Sequence, residues 1–171
     1  MLNLSLIRHG KSNWNVVDTD DLSRKISKIG ESKTNILGNF LQKEKIYFDE
    51  VFCSPAKRTK QTLEIINQYT PFKPKIQFID DLYHASGRDI FDTVMICATK
   101  KKVLVVSHEP LLSMSIENFF KGSNNKNFLN AIEKFNTSAF FNVSFECKNW
   151  YEIQGSKSFI NFFVRPNDIN F

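Results

Sequence analysis

The segment Val103-Leu104-Val105-Val106-Ser107-His108-Glu109-Pro110 joins four consecutive apolar residues to a polar triplet and a proline. A strand with one wet face alternates apolar and polar residues; an unbroken apolar run belongs to a central strand covered on both faces. Proline is well suited to the first turn of a helix, so the helix is expected to open at Pro110 and run to Phe120. Strand, junction and helix in that order are the unit of a parallel α/β layer.

The same alternation extends upstream. Leu2 to Ile7 reads as a strand, and residues 9–26 as a polar loop. Ser27 is a candidate cap for a helix whose apolar face would be Ile29, Ile36, Leu37, Phe40 and Leu41. Glu50–Ser54 and Lys75–Ile79 read as short strands, separated by a helix marked by Thr59, Leu63, Ile66 and Tyr69. A third helix is expected over Ile90–Thr99. Downstream, residues 121–134 give no clear signal and the period then changes. Ser138–Phe145, Trp150–Ile153 and Phe159–Val164 read as strands, with a turn at Cys147–Asn149. The expected architecture is a three-layer α/β/α sandwich with a mixed, mostly parallel central sheet.

Composition bounds the alternatives. A chain of 171 residues with 42% hydrophobic and 24% charged residues suits one folded domain over 1–171 and excludes wholesale disorder. No apolar stretch is long enough for a membrane span, and Met1–Arg8 lacks a basic leader region, so a cytoplasmic location is expected. Net charge is +5, yet lysine supplies 18 of the 23 basic residues, scattered apart from Lys100-Lys101-Lys102. Nucleic-acid readers lean on arginine, so a nucleic-acid partner is not expected, nor a membrane. Cys53, Cys97 and Cys147 have neither zinc spacing nor an even count, which fits a reducing compartment. Cys53 reads as a small buried hydrophobe.

Open α/β sheets bind ligands beyond the carboxyl ends of their strands. Three such ends here carry Arg8-His9-Gly10, Ser54-Pro55 with Arg58 one turn on, and Ser107-His108-Glu109-Pro110. Two guanidinium forks match phosphoryl oxygens. A neutral imidazole can attack phosphorus, and a second can hydrogen-bond the developing charge. Gly10 would let the backbone pass close to the ligand, and the helices after Pro55 and Pro110 would aim positive N-termini at it. With arginines supplying the positive charge, no metal and no cofactor is expected.

These residues resemble a known family. Leu6-Ile7-Arg8-His9-Gly10-Lys11-Ser12, Ser54-Pro55-Ala56-Lys57-Arg58-Thr59-Lys60-Gln61-Thr62 and Val105-Val106-Ser107-His108 are similar, in order and spacing, to the three signature blocks of the histidine phosphatase, or phosphoglycerate mutase-like, superfamily. Asp21-Leu22-Ser23-Arg24 with Gly30, Leu82-Tyr83-His84-Ala85 and Phe135-Asn136-Thr137-Ser138-Ala139 resemble elements of its SixA-type phosphohistidine phosphatases, although Lys25 replaces a usual proline.

The resemblance implies a phosphoglycerate mutase-like fold without a cap domain. It implies that His9 is the nucleophile, and that Arg8, Arg58 and His108 bind the phosphoryl group. Asn15 falls where the mutases place a phosphate-contacting asparagine. Arg24 either lines the pocket mouth or fixes the loop through Asp20 or Asp21. Where many members carry a leucine-x-glutamate proton donor, this chain has Leu82-Tyr83-His84, so the carboxylate is absent. An alkoxide leaving group needs such an acid far more than an imidazole does. The expected activity is therefore removal of phosphate from phosphohistidine on a protein carrier, such as a histidine phosphotransfer domain. Small phosphate esters are the alternative, with His84 as donor and Asp18, Asp21 and Glu109 as further candidates. A catalytically weak module that binds phosphoproteins is the reading from another class. Trp14 and Tyr83 read as packing residues.

Overall fold

The computed structural model describes residues 1–14, 20–84 and 87–170. Six strands form one sheet: β1 (Leu2–Arg8), β2 (Glu50–Cys53), β3 (Lys75–Phe78), β4 (Lys102–Ser107), β5 (Phe140–Phe145) and β6 (Ser158–Val164), in the order β3-β2-β4-β1-β5-β6. The first four are mutually parallel; β5 runs antiparallel to both β1 and β6. β4 is central and buried on both faces, as its unbroken apolar run requires: Val103 and Val105 enter one core, Leu104 and Val106 the other.

Helices cover both faces. α1 (Lys28–Lys43) and α2 (Lys57–Ile66) pack with Ile7, Val51, Cys53, Leu104, Val106 and Phe140. α3 (Ile90–Cys97), α4 (Leu111–Phe119) and α5 (Lys126–Glu133) lie over the other face, where phenylalanines 52, 91, 120, 128, 135, 141, 145 and 163 dominate. The expected α/β/α sandwich with a mixed sheet is the fold observed. Among the described residues no helix is long and apolar enough to cross a membrane.

Four local expectations are corrected. Trp150–Gly155 is a 3-10 helix, not a strand: Asn149 and Glu152 form a reciprocal capping box, and Trp150 is buried with its Nε1 donating to Lys100 C=O at 2.7 Å. Ile29 is exposed, because the face of α1 turned inward runs through Gly30, Thr34, Leu37, Gly38 and Leu41. Small residues there let α1 lie close against Gly10 and Lys11, just beyond β1, and against the Tyr69 ring. Pro110 is the N-cap of α4, not its first helical residue. The loop after β1 contains an antiparallel bridge between Ser12 and Ile26. Ser27 caps α1 as expected, its side chain accepting from Gly30 N–H at 3.1 Å.

Candidate active site

β1, β2 and β4 are adjacent and parallel, so their carboxyl ends open on one rim. That brings His9, Ser54 with Arg58, and His108 together. His9, Arg58 and His108 are 7%, 5% and 6% exposed. The two imidazoles stand 5.0 Å apart between ring centroids. The loop before β5 crosses the same end: Arg8 donates to Phe135 C=O at 2.8 Å, and Ser138 N–H bonds to the carbonyls of Arg8 and His9.

His9 has a defined tautomer. Its Nδ1 lies 2.8 Å from Gly10 C=O, an atom that can only accept, so Nδ1 carries the proton and Nε2 keeps its lone pair. Burial, then the charges of Arg58 and Arg8, push the His9 pKa down to about 3. The imidazole is therefore neutral at physiological pH, with desolvation rather than arginine repulsion as the larger cause.

His108 Nε2 meets Ser54 Oγ at 2.7 Å. With the Ser54 hydroxyl donating to Nε2, the His108 proton sits on Nδ1, a donor free to serve a ligand. Burial, then His9 and Arg58, likewise push His108 down to about 3. Among the described residues, Arg8 Nε, Arg58 Nε and His108 Nδ1 are buried without a hydrogen-bond partner. Leaving such donors unmade is costly, and all three belong to residues whose charge or ring reaches His9, as an oxyanion receptor would require.

Gly10 is required by its contact with α1. A Cβ there would lie 2.8 Å from Thr34 Oγ1 and 3.1 Å from Gly30 C=O. Gly10 N–H donates to Thr62 Oγ1 at 2.8 Å, which fastens β1 to α2. Each of the two helix N-termini has an N–H group engaged within the chain. Lys57 N–H donates to Leu22 C=O at 2.8 Å, and Ser113 N–H donates to Glu109 Oε1 at 2.9 Å. Glu109 is thus a helix cap. Cys53 is buried, which pushes its thiol up to about 12, so it is no nucleophile.

The mouth is built by the loop at residues 20–26. Arg24 fixes the loop: it pairs with Asp21 at 2.7 Å and donates to Ser12 Oγ. Asp21 also accepts from Arg58 at 2.9 Å and from the Tyr83 hydroxyl at 2.7 Å. Burial works against the ionised Asp21 carboxyl, but hydrogen bonds from Arg24, Tyr83 and Arg58 prevail and hold it well below its ordinary range. Asp21 is no proton donor in this arrangement. Tyr83 stacks edge-on to His108 at 5.6 Å and to the exposed His84 at 4.9 Å, which puts His84 at the outer rim. Trp14 is 75% exposed beneath the Arg24 guanidinium at 3.7 Å, so it does not belong to the core. Asn15 and Asp18 lie outside the described residues. Sequence reading passed over Ser54 and Thr62 as individual actors; their place in the serine-proline and glutamine-threonine block was the available signal.

With this geometry established, comparisons with known proteins converge. The model of the histidine phosphatase superfamily (branch 1) matches residues 4–83. A 2,3-bisphosphoglycerate-dependent phosphoglycerate mutase from Dichelobacter nodosus is 37% identical over 68 residues, 39% of this chain. That stretch spans only 28% of the mutase. A structure from Agrobacterium tumefaciens assigned to the phosphohistidine phosphatase SixA superposes with a TM-score of 0.77 at 20% identity, covering 96% of this chain and 98% of that one. The protein histidine phosphatase SixA complexed with tungstate gives the same TM-score and identity, covering 98% and 99%. The resemblance read from the sequence holds, and the fold is the phosphoglycerate mutase-like α/β fold of SixA.

Proposed function

On the premise of a histidine phosphatase match across residues 4–83 and a SixA fold, we propose that this chain is a phosphatase acting through a phosphohistidine intermediate on His9. One observation carries the reading: beside the buried, neutral His9, whose Nδ1 is tied to Gly10, lie the charges of Arg8 and Arg58 and the His108 ring at 5.0 Å, and each of these three residues keeps a buried nitrogen without a partner among the described residues. A tetrahedral oxyanion is the ligand class that such donors suit. The tungstate in the SixA structure is an ion of that shape.

In this mechanism His9 Nε2 donates its lone pair to phosphorus and the bond to the leaving group breaks. Water then attacks phosphorus, the Nε2–P bond breaks with its electron pair returning to His9, and phosphate departs as the water's proton passes to solvent, which leaves His9 neutral. Arg8, Arg58 and His108 hold the equatorial oxygens throughout. Ser54 positions His108, and Gly10 C=O positions His9. Every charge that the transition state needs comes from side chains already in place, so no metal or cofactor enters the scheme.

The substrate proposed is phosphohistidine on a protein carrier. Asp21 is ionised and Glu109 is spent as a cap, which leaves the described part of the site without a carboxylic acid to protonate an alkoxide. The single domain proposed for residues 1–171, with no cap, leaves the mouth open to a macromolecule. Beside it, on the same rim, lies a cavity of about 530 Å³ lined by Lys11, Lys33, Lys134 and Arg165, with Asp168 the sole acidic group. It is suited to an acidic carrier surface. A small phosphate ester remains the second reading, because exposed His84 stands two rings from His108.

Phosphate release from a phosphohistidine carrier and from a panel of alcohol phosphates, without added metal, tests the proposal. Preference for the carrier, together with acid-labile label on His9, is the expected result. Preference for one ester that is selectively lost in His84→Ala would transfer the proposal to the second reading. No label on His9 with any substrate would reduce the site to a phosphoprotein-binding module.

A further inference from the structure

The solvent side of the site is organised around one carboxylate. Asp21 Oδ1 accepts from Arg24 Nε at 3.2 Å and Nη2 at 2.7 Å; Oδ2 accepts from Arg58 Nη2 at 2.9 Å and Tyr83 at 2.7 Å. Arg58 Nη1 donates to the Asp21 carbonyl at 2.6 Å. All four lone-pair directions of the carboxylate are therefore occupied. The loop itself is clamped to α2, through Leu22 C=O to Lys57 N–H and Ile26 N–H to Gln61 Oε1. Yet the Asp21 side chain remains 48% exposed, against 6% for Arg58. It is a fixed negative charge turned toward solvent.

Direction of departure gives this charge a use. A phosphoryl group under in-line attack from His9 Nε2 expels its leaving group on the side away from His9. His9 is buried, so that side is the mouth. Arg24 and Arg58 bring two positive charges to the half-exposed loop at Asp21, and Asp21 offsets one of them.

We propose that Asp21 selects substrates by the charge of the leaving group, favouring a phosphoryl carried on a protonated imidazole over a phosphate ester whose alcohol bears a carboxylate. This rests on the phosphatase reading above and names its substrate class more closely. The step balances without an acid. The His9 Nε2 lone pair forms the new N–P bond. The old P–N bond breaks and its electron pair stays on the substrate ring nitrogen. The other ring nitrogen already holds the proton, so a neutral imidazole leaves. Asp21 keeps that ring protonated against its two arginine neighbours, and repels an anionic alcohol from them.

The test uses wild type and Asp21→Asn, with phosphoimidazole, phenyl phosphate and 3-phosphoglycerate as substrates whose departing moiety, while still bonded to phosphorus, is cationic, neutral and anionic. Each kcat/KM is divided by the value for phenyl phosphate, which removes any general loss. A charge change at this range in a half-exposed site is expected to lower the phosphoimidazole ratio about tenfold and raise the phosphoglycerate ratio about tenfold. Equal loss on all three substrates would overturn the proposal and leave Asp21 as a brace for Arg58. A binding arm needs no turnover. By calorimetry, the affinity for aminomethylphosphonate relative to phosphonoacetate should fall about tenfold in Asp21→Asn and hold in Asp21→Glu, which keeps the charge. An unchanged ratio in Asp21→Asn would overturn the proposal; should that variant not fold, a wild-type ratio in Asp21→Ser would do the same. Absence of His9 labelling with the ratio shifted would instead sink the phosphatase reading and leave the charge selection standing.

Discussion

The parallel part of the sheet and its antiparallel tail meet at the same rim but contribute different things to it. β1, β2 and β4 deliver side chains: Arg8, His9, Ser54, Arg58 and His108. The tail delivers backbone: Phe135 C=O holds Arg8, and Ser138 N–H holds the carbonyls of Arg8 and His9. Its own side chains are mostly spent on packing, with Phe140, Phe141 and Phe145 fully buried. Chemistry constrains side-chain identity strictly, whereas a carbonyl is available from any residue. The family match over residues 4–83 falls within the half where identity matters.

The comparison can be broken most directly at His9. His9→Ala should lower turnover at least about 10³-fold with stability nearly intact, as measured by single-turnover phosphate release and thermal melting. In the tail the pattern should invert. Phe141→Ala should cost about 3–5 kcal/mol in denaturant unfolding while kcat per folded molecule is preserved. If kcat fell in proportion to stability, the division between chemical half and packing half would be wrong.

Acid sharpens the contrast further. His9 and His108 both titrate near 3 in the folded chain, against 6.5 when unfolded. On acidification the unfolded state takes up these protons first, so stability should fall progressively as pH drops below about 6.5. His9 itself stays neutral, so kcat/KM per folded molecule should hold well below pH 6, where an ordinary histidine nucleophile would already be lost. A kinetic midpoint near 6.5 with no change in melting temperature would contradict the buried, neutral pair.

Smaller effects test the supporting contacts. Ser54→Ala removes the partner of His108 Nε2 and should reduce kcat about tenfold with little change in KM. Lys33→Glu with Lys134→Glu should raise KM for an acidic phosphocarrier several-fold, in a salt-dependent way, and spare small substrates. Equal effects on both substrate types would remove the basic cavity from carrier docking.

Much of this was legible beforehand because the signals were local. The apolar run at Val103–Val106 marks a doubly covered strand, and Ser27 marks a helix start. Where neighbours decide, reading failed. Trp150–Ile153 has strand-like residues, but the Asn149–Glu152 box and the anchor from Trp150 to Lys100 wind it into a 3-10 helix. Ile29 has the right character for a buried face and the wrong place, because the inward face passes through Gly30 and Thr34, which lie close against Lys11 and Gly10. Gly10 also answers a packing demand that the sequence does not show, because a Cβ there would meet Thr34.

By itself the sequence determined the identity and order of the chemical groups, since arginine, histidine and serine at strand ends keep their chemistry in any context. It also determined the layered α/β plan, because hydrophobic period is a local property of the chain. Only the tertiary structure decided the states of those groups. Burial keeps His9 and His108 neutral, Gly10 C=O fixes which His9 nitrogen is free, and Arg24, Arg58 and Tyr83 turn Asp21 from a candidate acid into a permanent anion. Protonation follows from the field and the donors that converge on an atom, and those come from residues remote in sequence.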